Sequence, residues 1–189
     1  MERRLIGFAM CGSFCTHAAS LEAMRELAIR HELLPIFSYS AATKDTRFGT
    51  AAELISQAEK ICGRRAVTTI EDAEPLGPRT PLDALIISPC TGNTIAKLAC
   101  AVTDTPVTMA AKAHLRGDRL LLLALASNDA MSANLTNIGT MLGRKNIFMV
   151  PMRQDDTVRK PHSLVADFRL LPDALEAAFD NRQIRPLFI

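Results

Sequence analysis

The feature that most constrains this chain is a rhythm in which short apolar runs, each long enough for one strand, alternate with stretches whose apolar residues recur every three or four positions. The clearest run is Leu82–Ser88, with Ala84-Leu-Ile-Ile87 at its centre. An unbroken apolar run of this length belongs to a strand covered on both faces, as in a parallel sheet. Further strands are expected at Leu5–Met10, Leu33–Phe37, Val67–Ile70 and Arg119–Ala126, with a last one at Asn146–Val150.

Between them, Ser13–His31 reads as a helix with Leu21, Met24, Leu27 and Ala28 on one face and Ser13 or Thr16 as its N-cap. Ala51–Cys62 reads as a second helix, closed by Gly63 as a C-cap. Helices are also expected at Thr94–Ala101, Ala130–Leu142 and Pro172–Arg182, while Pro106–Ala110 fits either a short strand or a helix start. Ser38–Gly49 reads as a long loop and Glu74–Pro78 as a rigid turn. Strand and helix alternating in this way imply parallel strands with right-handed crossovers and helices on both faces. The expectation is an α/β, Rossmann-like, doubly wound fold, and 189 residues suit a single domain spanning 1–189.

Composition removes several classes of function. A net charge of +2, one Tyr and no Trp argue against a nucleic-acid partner. The longest apolar runs, such as Leu120–Ala126, are far too short to span a membrane, and Met-Glu-Arg-Arg leads straight into a strand, so a cytoplasmic protein is expected. Five cysteines without a CxxC pair, and four scattered histidines, argue against a disulfide framework and against a metal site.

Two loops carry chemistry. Gly12-Ser13 follows the first strand, where a glycine permits a sharp turn and the next helix presents unpaired amides suited to phosphate; a plain turn with Ser13 as N-cap accounts for the same residues. The three-glycine dinucleotide fingerprint is absent, which disfavours a conventional NAD site. Ser88-Pro-Cys-Thr-Gly-Asn-Thr94 falls between the central strand and a helix and offers hydroxyls, an amide and free backbone donors; helix capping by Ser, Thr and Asn accounts for one such loop, and less well for several that converge. In an open α/β sheet both loops lie beyond the carboxyl ends of the strands, where ligands bind. Ser38 and Ser40 join them, so Gly12, Ser13, Ser38, Ser40, Thr91, Gly92, Asn93 and Thr94 are the candidate ligand-binding residues. Arg47, in the segment Lys44-Asp-Thr-Arg-Phe-Gly49, could clamp a carboxylate or phosphate, though such an arginine is usually only a solvated surface group. His17 is the most suggestive histidine, though a helix-surface role is the commoner one. Arg153–Asp156 and Lys160–Ser163 read as a charged connection.

The segment Ser88-Pro-Cys-Thr-Gly-Asn-Thr-Ile-Ala-Lys97, followed by Thr103-Asp-Thr-Pro-Val107, resembles the signature of the flavoprotein family of cysteine decarboxylases, phosphopantothenoylcysteine decarboxylase and flavin prenyltransferases. Thr46–Gly49, Ala73–Pro78, Met109–Lys112, Ser127–Ala130, Lys145–Phe148 and Gln154–Asp156 are similar to one branch, a subunit of a two-component synthase that makes a pyridine dicarboxylate in sporulating bacteria. The resemblance implies FMN held by the Thr91–Thr94 loop, a homo-oligomer of three or more copies, and a partner subunit that brings NAD(P). It makes Arg47 and Lys112 candidates for holding a dicarboxylate substrate, and leaves the catalytic residues unassigned. Two departures bear on activity: Arg79-Thr-Pro-Leu-Asp83 lacks the decarboxylases' histidine, and Ser127-Asn128 stand where the prenyltransferases carry an Arg-Glu pair. Rival readings are a non-catalytic scaffold or regulator of the partner, and an independent FMN-dependent decarboxylase or prenyltransferase.

Overall fold

The first strand, β1 (Leu5–Met10), lies between β2 (Glu32–Phe37) and β3 (Ala84–Cys90), parallel to both, in a computed structural model that describes residues 3–77 and 79–189. Parallel pairing continues through β4 (Leu120–Ser127) to β5 (Ile147–Met149), giving the order β2-β1-β3-β4-β5. The helices in chain order are α1 (His17–Arg30), α2 (Tyr39–Thr43), α3 (Ala51–Cys62), α4 (Ile70–Ala73), α5 (Gly92–Ala99), α6 (Pro106–Leu115), α7 (Leu135–Leu142) and α8 (Leu171–Phe179).

The unbroken apolar runs are explained by two cores. Ala84 and Ile86 of β3 join Phe8, Leu122 and the apolar faces of α1, α3 and α8, whereas Leu85 and Ile87 join Ala9, Leu123 and the faces of α5, α6 and α7. Leu85, Ile86 and Ile87 are fully buried, each contributing about 1.5–3 kcal/mol. The doubly wound α/β fold is therefore present as the rhythm implied.

Several boundaries differ, each for a local reason. Ser38–Gly49 begins with α2, because the Ser38 hydroxyl accepts from the Ala41 amide at 3.3 Å and caps it. Val67–Ile70 is not a strand: Val67 forms a single bridge to Ile36, and Thr69 then caps α4. Pro106 opens a helix behind a Thr105–Thr108 capping box. The helix expected from Ala130 starts only at Leu135, because Asp129 gathers the preceding residues into turns through its carbonyl, which accepts from Ser132 and Asn134 at 3.2 and 3.1 Å. The turn expected at Glu74–Pro78 contains one 3-10 turn, Glu74–Leu76; Pro78, with Met1 and Glu2, lies outside the described residues.

The largest correction is at the end of the sheet. Asn146–Val150 is not the last strand, since β6 (Met152–Arg153) and β7 (Leu164–Ala166) pair antiparallel with each other, and β7 pairs antiparallel with the end of β4. Strands of two and three residues are too short to show a period. The stretch read as a charged connection is thus a hairpin over the carboxyl end of the sheet.

Candidate functional site

β1 and β3 run side by side, and the chain leaves them toward opposite faces: after β1 to α1 on one layer, after β3 to α5 on the other. Such a switch point opens a crevice that loops line from both sides. Here the Cys11 amide donates to the Pro89 carbonyl at 3.2 Å and the Ser38 amide to the Met10 carbonyl at 3.0 Å, drawing three loops together.

The cleft has two adjoining halves of about 600 and 480 Å³, which share Gly12, Phe14, Thr91 and Asn93. Ser13 and Gly92 line the wider half; Ser38, Ser40 and Thr94 line the narrower. All the candidate ligand-binding residues thereby line one or both of these adjoining halves. Arg47 and Lys112 are not: Arg47 is exposed with its guanidinium 4.9 Å from the Phe48 ring centroid, and Lys112 is exposed in the last turn of α6.

Two glycines set the close approaches. A Cβ on Gly12 would lie 3.1 Å from the Ser40 Cβ, so the first and second loops touch through the missing side chain. A Cβ on Gly92 would fall 2.3 Å from Ser127 Oγ and 2.6 Å from Asn134 Nδ2. Those groups belong to a network in which Asp129 accepts from the Ser127 hydroxyl at 2.5 Å and from the Asn134 amide at 2.9 Å. The Ser127 hydrogen bond, foremost, holds the Asp129 carboxyl below its ordinary range.

At the start of α5 the Thr91 hydroxyl caps the Thr94 amide at 3.2 Å, while the Thr94 hydroxyl contacts Cys11 Sγ at 3.2 Å. The amides of Gly92 and Asn93 lie in the first turn, where no intrahelical acceptor exists. Burial pushes the Cys11 thiol up to about 11, and Cys90 is raised as well, so both are neutral thiols behind the cleft rather than nucleophiles. His17 is half-buried, with Nε2 2.7 Å from the Cys11 carbonyl; that oxygen only accepts, so Nε2 carries the proton and the ring braces the first loop. Burial lowers its pKa.

The two halves differ in charge. The narrower is lined by Lys44 and Lys97 and no acid; the wider by Asp129, Asp155 and one cation, Lys160. Lys97 is held by Asp104 at 2.8 and 2.9 Å, and Lys160 by Asp155 at 2.5 Å. Sequence reasoning alone did not single out these charged groups as site residues. Lys97 carried a signal, lying three residues after Thr94 on one helix; Lys160 and Asp155 carried none, because a hairpin of two very short strands brings them there. No cluster of His, Cys, Asp or Glu suited to a metal ion exists among the described residues.

A phosphate-bearing ligand suits this arrangement. Ser13 Oγ, Ser40 Oγ and the Asn93 side chain make no hydrogen bond to any described residue, and the α5 amides and two lysines favour an anion in the narrower half.

The chain is 41% identical over its whole length to the dipicolinate synthase B-subunit of Bacillus subtilis (strain 168), covering 95% of that protein. It superposes on the crystal structure of the dipicolinate synthase B-subunit from Bacillus halodurans C with a TM-score of 0.90 at 38% identity, covering 98% of this chain and 96% of that one. An FMN-dependent cysteine decarboxylase shares the fold, with a TM-score of 0.68 at 23% identity over 94% of this chain and 98% of its own. Residues 9–162 match the family model described as Flavoprotein, and the chain belongs to the Flavoprotein family.

Proposed function

We propose that this chain is the flavin-type subunit of a two-component dipicolinate synthase, forming pyridine-2,6-dicarboxylate from a dihydro- or hydroxy-tetrahydro precursor in the cytoplasm of a sporulating mother cell. The observation that carries the reading is the cleft at the β1/β3 switch point, polar and cationic in one half and wider in the other, in a chain 41% identical throughout to the B-subunit of that enzyme. The whole of 1–189 then acts as one domain. The partner is the A-subunit of dipicolinate synthase, which brings NAD(P).

FMN suits the cleft. Ser38, Ser40, Asn93 and Thr94, with Lys97, would hold its phosphate, and Gly12, Ser13, Thr91 and Gly92 would hold its ring. Bound there, a flavin supplies a two-electron acceptor beside the substrate. The chain's own contribution is to bind and orient: Gly12 lets Ser40 close on the first loop, and the Ser127–Asp129–Asn134 network fixes an ionised carboxylate at the edge of the wider half. The family resemblance supports assembly into a homo-oligomer, which light scattering measures.

Purified protein is expected to be yellow, or to take up added FMN, and to yield dipicolinate only when combined with the partner subunit. A colourless chain that refuses FMN yet is needed for activity identifies a scaffold; product from this chain alone identifies an independent enzyme.

A further inference from the structure

Beside the cleft, between α1 and α3, lies a third cavity of about 190 Å³. It shares Phe14 with both halves of the cleft, Phe48 with the wider and Lys44 with the narrower, so it adjoins each. Its apolar lining comes from Ala18, Leu21, Ala41 and Leu54. Phe14 stands edge-on to the His17 ring, centroids 5.5 Å apart and planes at 71°. A cavity of about 150 Å³ accepts benzene. This one therefore has room for one six-membered ring with small substituents, and none for a three-ring flavin.

The ionisable groups around it are His17, Glu22, Arg25, Lys44 and Glu53. Arg25 is paired with Glu22 at 2.5 Å, and Glu53 is committed to the Thr50 amide and hydroxyl at 3.0 and 2.9 Å. Lys44 forms no side-chain hydrogen bond or ion pair with any described residue, and neither does the remaining ring nitrogen of His17, Nδ1, an acceptor because Nε2 carries the proton. A partly aromatic cavity thus presents one uncompensated cation and one unused acceptor. The Thr46-Arg-Phe-Gly49 segment contributes Thr46, Phe48 and Gly49 to its wall, with Gly49 at φ 133, a conformation that favours glycine.

We infer that this cavity is the subsite for a single six-membered nitrogen ring bearing a carboxylate, with Lys44 pairing the carboxylate and His17 Nδ1 accepting a ring N–H when the ring is partly reduced. The inference rests on the dipicolinate reading above and adds where this chain holds the ring. Lys97 remains to face the phosphate in the narrower half.

The test is calorimetric titration of the full chain with pyridine-2,6-dicarboxylate, with FMN uptake measured in parallel. Ala18 is an exposed helix residue that lines this cavity and neither half of the cleft, so Ala18→Phe fills the cavity without touching the flavin residues. Dicarboxylate binding is expected to weaken at least tenfold in Ala18→Phe and in Lys44→Met, with the FMN uptake and melting temperature of Ala18→Phe unchanged. If Ala18→Phe binds the dicarboxylate as the unmodified chain does, the inference is overturned and the dipicolinate reading stands. It is also overturned if the unmodified chain binds none while still supporting dipicolinate formation with its partner. If the chain neither binds the dicarboxylate nor supports its formation, both readings fall. Should Ala18→Phe not fold, Gln57→Phe decides, since Gln57 is likewise exposed and lines this cavity and neither half of the cleft: weakened dicarboxylate binding supports the subsite and unaltered affinity overturns it.

Discussion

Gly92 and Asp129 are in such close contact that a Cβ on Gly92 would lie 2.7 Å from the Asp129 carboxylate. The start of α5 is therefore joined to the turn after β4 through a missing side chain. Ser127 and Asn134 crowd the same point from either side of Asp129.

Gly92→Ala should accordingly disturb both stability and ligand uptake. The added methyl group must displace the network, an overpacking cost of about 1–3 kcal/mol. Thermal melting should show the loss, and FMN titration should show weakened binding as Thr91 and Asn93 move with the helix start.

The same network predicts a pH dependence. The Ser127 hydrogen bond depresses the Asp129 carboxyl, so its contribution is present above the unfolded carboxylate value of about 3.9 and is lost as pH falls through the lower folded value. Asp129→Asn should be less stable than the unmodified chain near neutrality, and the gap should close on acidification, as read from urea midpoints at successive pH values.

Burial, foremost, lowers the pKa of His114, which has no exposed surface and stands 2.7 Å from the Leu120 carbonyl. Because the folded value lies below the unfolded one, its contribution is present above the unfolded value and is lost as pH falls below about 6.5, at up to ~1.4 kcal/mol per pH unit for one proton. The urea midpoint should drop between pH 7 and 5, and drop less in His114→Gln.

The charge contrast in the cleft predicts ligand preference. With Lys44 and Lys97 and no acid lining the narrower half, FMN should bind more tightly than riboflavin, and added salt should narrow the difference. Lys97→Met should reduce that preference by roughly tenfold, about 1.4 kcal/mol, in fluorescence titrations.

Much of this molecule is legible in the chain itself. Leu5–Met10 and Ala51–Cys62 form as read to the residue, with Gly63 capping at φ 63, because each carries its periodicity and its stop signal within itself. The turn after Asp129 was obscured because its carbonyl and carboxylate compete with helix formation where the apolar spacing alone favours a helix. β6 and β7 were obscured because a two- or three-residue strand is defined by its partner and not by its own pattern.

By itself the sequence determined the parallel sheet, its two covered faces and the three loops that meet at its carboxyl edge, since apolar period and cap residues are local properties. Only the tertiary structure decided which charges line the cleft. Lys160 and Asp155 arrive on a hairpin, Lys44 at the junction of two cavities, and Arg47 and Lys112 lie elsewhere, because the placement of a charged side chain depends on how distant segments pack.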